Sequence, residues 1–125
     1  MFTLIRFGSI ISILCAIDLF VGSANAKDPE HGAQIFNMCA ACHATDNSTR
    51  LGPSLHGIVG RRSGTISGFR YSRAMKNANI TWDEKSLDAY IETPQGLVPG
   101  TTMPFAGIPN SGDRADLIAY LETLK

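Results

Sequence analysis

Cys39-Ala40-Ala41-Cys42-His43 places two thiols and an imidazole within five consecutive residues. Thiols add covalently to vinyl groups, and an imidazole beside the second thiol offers a ring nitrogen to the same centre. C-x-x-C-H is the spacing through which a polypeptide tethers a porphyrin by two thioethers while the histidine ligates the iron. Two other readings are weaker. A structural zinc site needs four ligands, and beyond these three residues the chain has only His31 and His56, in no zinc-like spacing. A C-x-x-C redox pair wants a preceding strand within a parallel α/β pattern, and the flanks here read as helix and loop.

A tethered haem iron has a further coordination position. Thr101-Thr102-Met103-Pro104-Phe105 carries a methionine on a proline-flanked loop, where a thioether is free to face inward. Met38 and Met75 are formal rivals. Met38 lies in the helix leading into the motif, and Met75 sits in a helical pattern where methionine usually fills gaps. His31 reads as exposed on the first helix and His56 as a loop-packing residue.

The elements that position these groups are few. At 125 residues, 44% of them hydrophobic and with no internal repeat, the chain forms one domain. Haem would add a large apolar surface to a small core, so a loop-rich chain with twelve glycines and six prolines can still be stable. Basic and acidic residues balance at eleven each, which gives no excess of positive charge for nucleic acid. Arg50, Arg61, Arg62, Arg70, Arg73 and Lys76 nevertheless crowd the middle of the chain. Asp83, Glu84, Asp88, Glu92, Asp113, Asp116 and Glu122 dominate the C-terminal part.

Residues 1–26 read as a signal peptide: Arg6 is basic, Phe7 to Val21 is mostly apolar, and Ala24-Asn25-Ala26 is a small-x-small cleavage site. The expected mature domain is 27–125, periplasmic, without stable membrane insertion after processing. A retained anchor is the competing reading, but the apolar run falls short of the roughly 20 residues that span a bilayer, and Asp18 interrupts it. Cys15 follows Leu14, too large for a lipoprotein site, and is lost with the leader. Cys39 and Cys42 then remain, both assigned to haem, which leaves no structural disulfide.

Within 27–125 the pattern is all-α: three helices joined by long ordered loops. Asp28-Pro29-Glu30 caps and opens the first, with Gly32, Ile35, Phe36 and Cys39 on one side. The loop from Ala44 to Gly68, punctuated by Gly52-Pro53 and Gly57, is long enough to wrap something. Ser72 caps a short helical segment to Ala78. Thr81-Trp82-Asp83-Glu84 starts the middle helix, with Leu87, Tyr90 and Ile91 on one face; Pro94 ends it, and Pro-Gly turns run to Gly100. In the last helix Leu117, Ile118, Leu121 and Leu124 form the buried stripe, with Arg114, Asp116 and Glu122 away from it. This helix is expected to pack on the first.

With these residues in view the chain resembles a class I cytochrome c of the mitochondrial and α-proteobacterial type. The likeness runs from Gly32 and Phe36 through the haem motif, Gly52-Pro53-Ser54-Leu55-His56-Gly57, Tyr71-Ser72 and Ile80-Thr81-Trp82. It continues through Pro99-Gly100-Thr101-Thr102-Met103-Pro104-Phe105 to Arg114-Ala115-Asp116-Leu117-Ile118-Ala119-Tyr120-Leu121. It implies helices wrapped around one haem c, held through Cys39 and Cys42, and single-electron transfer. It also implies that His43 is the proximal ligand, oriented by the carbonyl of Pro53, and Met103 the distal one. Tyr90 would lie near the Met103 sulfur, Thr101 would assist on that side, and Arg61, Tyr71 and Trp82 would hold a propionate. Gly32, Phe36, Leu117 and Tyr120 match the contact between terminal helices. Tyr90 and Trp82 taken alone read as core.

The chain also departs from the family pattern. Met75 stands where mitochondrial relatives carry asparagine, and Gln95, Thr102 and Met38 stand where they carry lysines around the haem edge. The expected protein is a monomeric electron carrier rather than an enzyme. Its partners would be redox proteins such as a cytochrome bc complex, a terminal oxidase or a periplasmic dehydrogenase. The alternative is a haem enzyme or gas sensor with an open distal site; Met103 and the lack of an acid-base pair argue against it. A haem domain docked in a larger complex is a third reading.

Overall fold

The computed structural model describes residues 26–125, so the leader reading falls, but for Ala26, outside the described residues. Every α-helix but the one that Pro94 opens starts where a side chain satisfies amides that the first turn leaves without partners. The Asp28 carboxylate accepts from the amides of Glu30 and His31 at 2.9 and 3.1 Å, with Pro29 at the first position of α1 (Pro29–Ile35). A 3-10 turn (Phe36–Met38) continues it. Ser72 accepts from the Met75 amide at 3.0 Å to open α2 (Arg73–Asn77). Asp83 and Ser86 form a reciprocal capping box on α3 (Glu84–Glu92). Asn110 accepts from the Asp113 amide at 2.9 Å to open α5 (Ser111–Glu122).

The segment after α3 differs from the expected turns. Thr93, at φ −148°, breaks α3, and Pro94 at once begins a further helical turn, α4 (Pro94–Leu97). Proline lacks the amide a helix interior needs but suits a first position, so it separates two helices where a single stop was expected. The described residues thus hold five α-helices: the three expected, the expected short segment as α2, and α4, which was not foreseen. The expected all-α class holds, with the antiparallel bridge Arg62–Thr81 the sole β pairing among the described residues.

The frame is the crossing of α1 and α5, as the apolar stripes imply. A Cβ built on Gly32 would lie 2.0 Å from the Asp116 carbonyl oxygen, so the two backbones touch at a point where only hydrogen fits. The Phe36 and Tyr120 rings pack at 5.3 Å beside it. Leu117, Ile118 and Leu121 are buried, and Leu124 lies half-buried beyond the helix end.

Arg114 corrects the sequence reading. Its side chain is only 6% exposed, although the periodicity placed it on the solvent side. It reaches back to Asp88 and to the carbonyls of Ile108 and Pro109, partners from other segments that a helical wheel does not contain.

His31, expected to be simply exposed, ties the two terminal helices: its Nδ1 lies 2.8 Å from Asp116 Oδ2, while Asp116 Oδ1 accepts from the Asp28 amide at 2.8 Å. The hydrogen bond to Asp116 holds the His31 pKa above its ordinary 6.5. The Asp28 amide and then the His31 ring hold Asp116 below its ordinary 3.8. The His31 contribution to stability is therefore fully present below pH 6.5 and is lost as pH rises through the folded-state pKa. The Asp116 contribution is present above 3.8 and lost as pH falls through its own depressed value. Thermal melts of wild type and His31→Gln should therefore differ more at about pH 5 than at about pH 8. A difference independent of pH would mean that the ring contributes packing alone.

Candidate functional site

After the 3-10 turn the chain keeps winding: Cys39 and Ala40 donate to the Phe36 carbonyl at 2.8 and 3.0 Å, and Cys42 and His43 to that of Cys39 at 3.1 and 2.9 Å. Residues 39, 42 and 43 stand at helical i, i+3 and i+4, so winding brings both sulfurs and the imidazole to one side. Both cysteines are half-buried and not joined in a disulfide; before any attachment, burial pushes the Cys39 thiol up, with Cys42 beside it adding to the shift.

The loop at Gly52-Pro53 fixes the imidazole. Gly52 donates to the Cys42 carbonyl at 2.7 Å, and the His43 Nδ1 lies 2.7 Å from the Pro53 carbonyl oxygen. A carbonyl only accepts, so Nδ1 carries the proton and Nε2 keeps its lone pair for a metal. Burial lowers the His43 pKa, against the opposing pull of the Pro53 carbonyl. A Cβ on Gly52 would lie 2.6 Å from His43 Cε1. That intimate contact was not foreseen, although the Gly-Pro pair marked the spot.

Cys39, Cys42 and His43 open into a cavity of about 500 Å³ that also receives Met103. Its walls are mostly apolar and include Leu55, Ile58, Phe69, Leu87, Ile91, Phe105, Leu117 and Leu121. Polar groups enter at a few points. The donor set fits haem: two thiols for its vinyls, an imidazole nitrogen and a thioether for iron, and a broad apolar wall for the macrocycle.

All ten residues singled out in the sequence lie in or against this space. Arg61 lines it and donates to the carbonyls of Ser54, at 2.9 Å, and His56. Burial lowers the Arg61 pKa. Tyr71 lines it with its hydroxyl accepting from the Ile66 amide at 3.2 Å, which leaves the O–H as a donor. Trp82 is buried against the Tyr90 ring at 5.0 Å and lines the cavity. Tyr90 Oη lies 2.8 Å from Thr101 Oγ1 and 4.0 Å from the Met103 sulfur. Burial raises the Tyr90 pKa, so the phenol stays protonated at neutral pH.

Met75 is buried and lines the same cavity, so the methionine identities alone do not choose a ligand. Gln95, expected at the mouth, does not line it; its amide instead donates to the Thr101 carbonyl at 2.7 Å and accepts from the Gly100 amide at 3.1 Å. Leu51, 82% exposed, and Met38, 56% exposed, do stand at the mouth. Leu51 was missed because an isolated leucine in a polar loop carries no periodicity.

A family model described as Cytochrome c matches residues 29–125. The chain belongs to the cytochrome c family. It is 47% identical over 100 residues to cytochrome c2 of Rhodomicrobium vannielii, covering 78% of this chain and 80% of that one. Cytochrome c2 of Rhodoblastus acidophilus is 46% identical over 102 residues, 80% of this chain and 95% of the relative. Among solved structures, cytochrome cH of Methylobacterium extorquens superposes with a TM-score of 0.74 at 38% identity, covering 77% of this chain and 98% of that one. The helical architecture is accordingly the class I cytochrome c fold. The cofactor of this cytochrome is haem c, attached covalently through Cys39 and Cys42. It is an electron carrier and not an enzyme.

Proposed function

We propose that this cytochrome carries single electrons on a haem iron held between His43 and Met103. The observation that carries the reading is the convergence of His43, far upstream, and Met103 on the cavity into which Cys39 and Cys42 open. When bound, haem supplies a one-electron couple at iron. The residues around it tune that couple. Pro53 orients the His43 ring and raises its basicity, the Met103 thioether favours the reduced state, and the apolar walls exclude water. Arg61, Tyr71 and Trp82 offer a guanidinium, a hydroxyl and an indole N–H to a propionate that apolar walls would otherwise leave without partners. A sixth position filled by Met103 disfavours the peroxidase or gas-sensor alternative.

The working protein is soluble, monomeric and periplasmic, and begins at Lys27 after cleavage at Ala24-Asn25-Ala26. One observation supports that start: Lys27 pairs with Glu84 at 2.6 Å, securing the chain beside the cleavage point. Haem should stay on the polypeptide through denaturation and acid-organic extraction, and mass spectrometry should place the N-terminus at Lys27. Extractable haem would refute the attachment; an intact leader would refute the processing.

The partners are redox complexes, a cytochrome bc complex and a terminal oxidase or periplasmic dehydrogenase, which meet the cavity mouth. Met38 and Leu51 there, with Thr102 and Pro104, make that face largely uncharged. Arg62 is the one exposed cation among the lining residues, while the exposed Arg70, Arg73 and Lys76 do not line the cavity and add orientation. Stopped-flow rates with such a partner should fall by less than about threefold as salt rises to physiological levels. A steep fall, with Arg62→Glu or Arg73→Glu crippling transfer, would make the arginine face the docking surface.

A further inference from the structure

The segment that carries Met103 is fastened at both ends and nearly free between them. At the upstream end Thr101 donates its amide to the Val98 carbonyl at 3.0 Å, accepts from Gln95 at 2.7 Å and meets Tyr90 at 2.8 Å. From 102 to 106 the one backbone bond inside the loop is Phe105 to the Met103 carbonyl, at 2.9 Å. At the downstream end Ile108 is buried and donates to the Ile91 carbonyl at 2.9 Å. Gly107, at φ +110°, passes so close to α3 that a Cβ there would lie 2.0 Å from the Glu92 carbonyl oxygen.

Arg114 locks this downstream end. One guanidinium nitrogen donates to the carbonyls of Ile108 and Pro109 at 3.0 and 2.8 Å, and Nε donates to Asp88 Oδ1 at 2.7 Å, with Glu92 at 3.5 Å. A single buried cation thus joins the start of α5, the face of α3 and the base of the methionine loop. Two carbonyls and a carboxylate would lose their shared donor if it were removed, and the Ile108 carbonyl, the buried one among them, would be left without it at a cost greater than an average bond is worth.

We propose that Arg114 is a positioning residue for Met103: by clamping Ile108 and Pro109 it keeps the methionine loop closed over the cavity. This rests on the reading of Met103 as the distal iron ligand. Arg114 does not line the cavity and makes no hydrogen bond to Met103, so it acts through the short segment 104–107.

The test uses the ferric, haem-loaded protein, with cyanide as the probe of loop opening. Arg114→Met should speed cyanide binding about tenfold, in keeping with the loss of one buried charge-assisted clamp. Gly57→Ala lowers stability at a residue that does not line the cavity and whose amide is tied to Leu124, and it should leave the rate unchanged. In a Met103→Ala background, where cyanide already binds fast, Arg114→Met should add no further acceleration. If Arg114→Met does not fold, Asp88→Asn, which loosens the same guanidinium while sparing its carbonyl bonds, should show a smaller acceleration. An unchanged rate in the variant that folds, an equal acceleration in Gly57→Ala, or a full acceleration in the Met103→Ala background would overturn the proposal. The far-red sulfur-to-iron band separates the two readings. If wild type lacks it, Met103 ligation fails and the positioning role falls with it. If it is present and lost in Met103→Ala while Arg114→Met binds cyanide at the wild-type rate, only the positioning role fails.

Discussion

Replacing Met103 with alanine is expected to abolish the far-red sulfur-to-iron charge-transfer band of the oxidised protein, open the iron to carbon monoxide and cyanide, and lower the reduction potential. The potential should drop on the order of 0.2 V, a fraction of the roughly 0.8 V range that axial ligands span. The reason is chemical: a thioether donates weakly and favours ferrous iron, and water or nothing takes its place in the variant. Tyr90 Oη, which now meets both Thr101 Oγ1 and the sulfur, would keep the first partner and lose the second. Met75→Leu is the decisive control, because Met75 lines the same cavity and is buried. It sits on α2, whose Ser72 cap and backbone bonds give it little freedom to swing, whereas Met103 lies on a segment with few bonds of its own. The band should survive Met75→Leu. Its loss there and survival in Met103→Ala would reverse the assignment.

Gly32→Ala should be one of the most damaging single-methyl changes in the molecule, alongside Gly107→Ala, which meets the Glu92 carbonyl equally closely. Helix propensity alone would favour alanine by about 1 kcal/mol. Against this, the new Cβ would sit 2.0 Å from the Asp116 carbonyl oxygen, 2.6 Å from its carbon and 2.9 Å from Tyr120 Cβ. Backbone cannot rotate out of the way as a side-chain tip does, so α1 and α5 must separate. Separation undoes the Phe36–Tyr120 packing and the His31–Asp116 contact together. Overpacking of this kind costs about 3 kcal/mol or more, which the propensity gain does not offset. For a domain of this size the melting midpoint should fall by about 15 °C. Gly57→Ala is the informative comparison: its Cβ meets nothing within 4 Å, so only the left-handed backbone at φ +65° opposes it, at a cost of about 1 kcal/mol. Equal losses at the two positions would mean that the helix crossing is looser than its geometry implies.

The local chemistry of this cytochrome was legible in its sequence. Caps at Asp28 and Ser72 declare themselves because the atoms that satisfy one another lie within three residues. The attachment motif is legible for the same reason, since its spacing is the spacing of one helical turn. The stripes of α3 and α5 also showed which faces turn inward. Tertiary structure decided what depends on partners distant in the chain. Arg114 has a solvent-side position on the helical wheel, yet it is buried because Asp88 and two loop carbonyls arrive there to satisfy it. Gly52 is an ordinary turn glycine until the His43 ring comes against it, and Pro94 is an ordinary helix stop until Thr93 turns the chain into α4. The sequence already favours Met103, on its proline-flanked loop, over Met75 in a helical pattern; both line the cavity, and the sparse bonding of the Met103 segment points to the same choice. Sequence spacing reports what neighbours along the chain can do for one another; the desolvation of a charge or the approach of two backbones is set by whatever the fold brings across the gap.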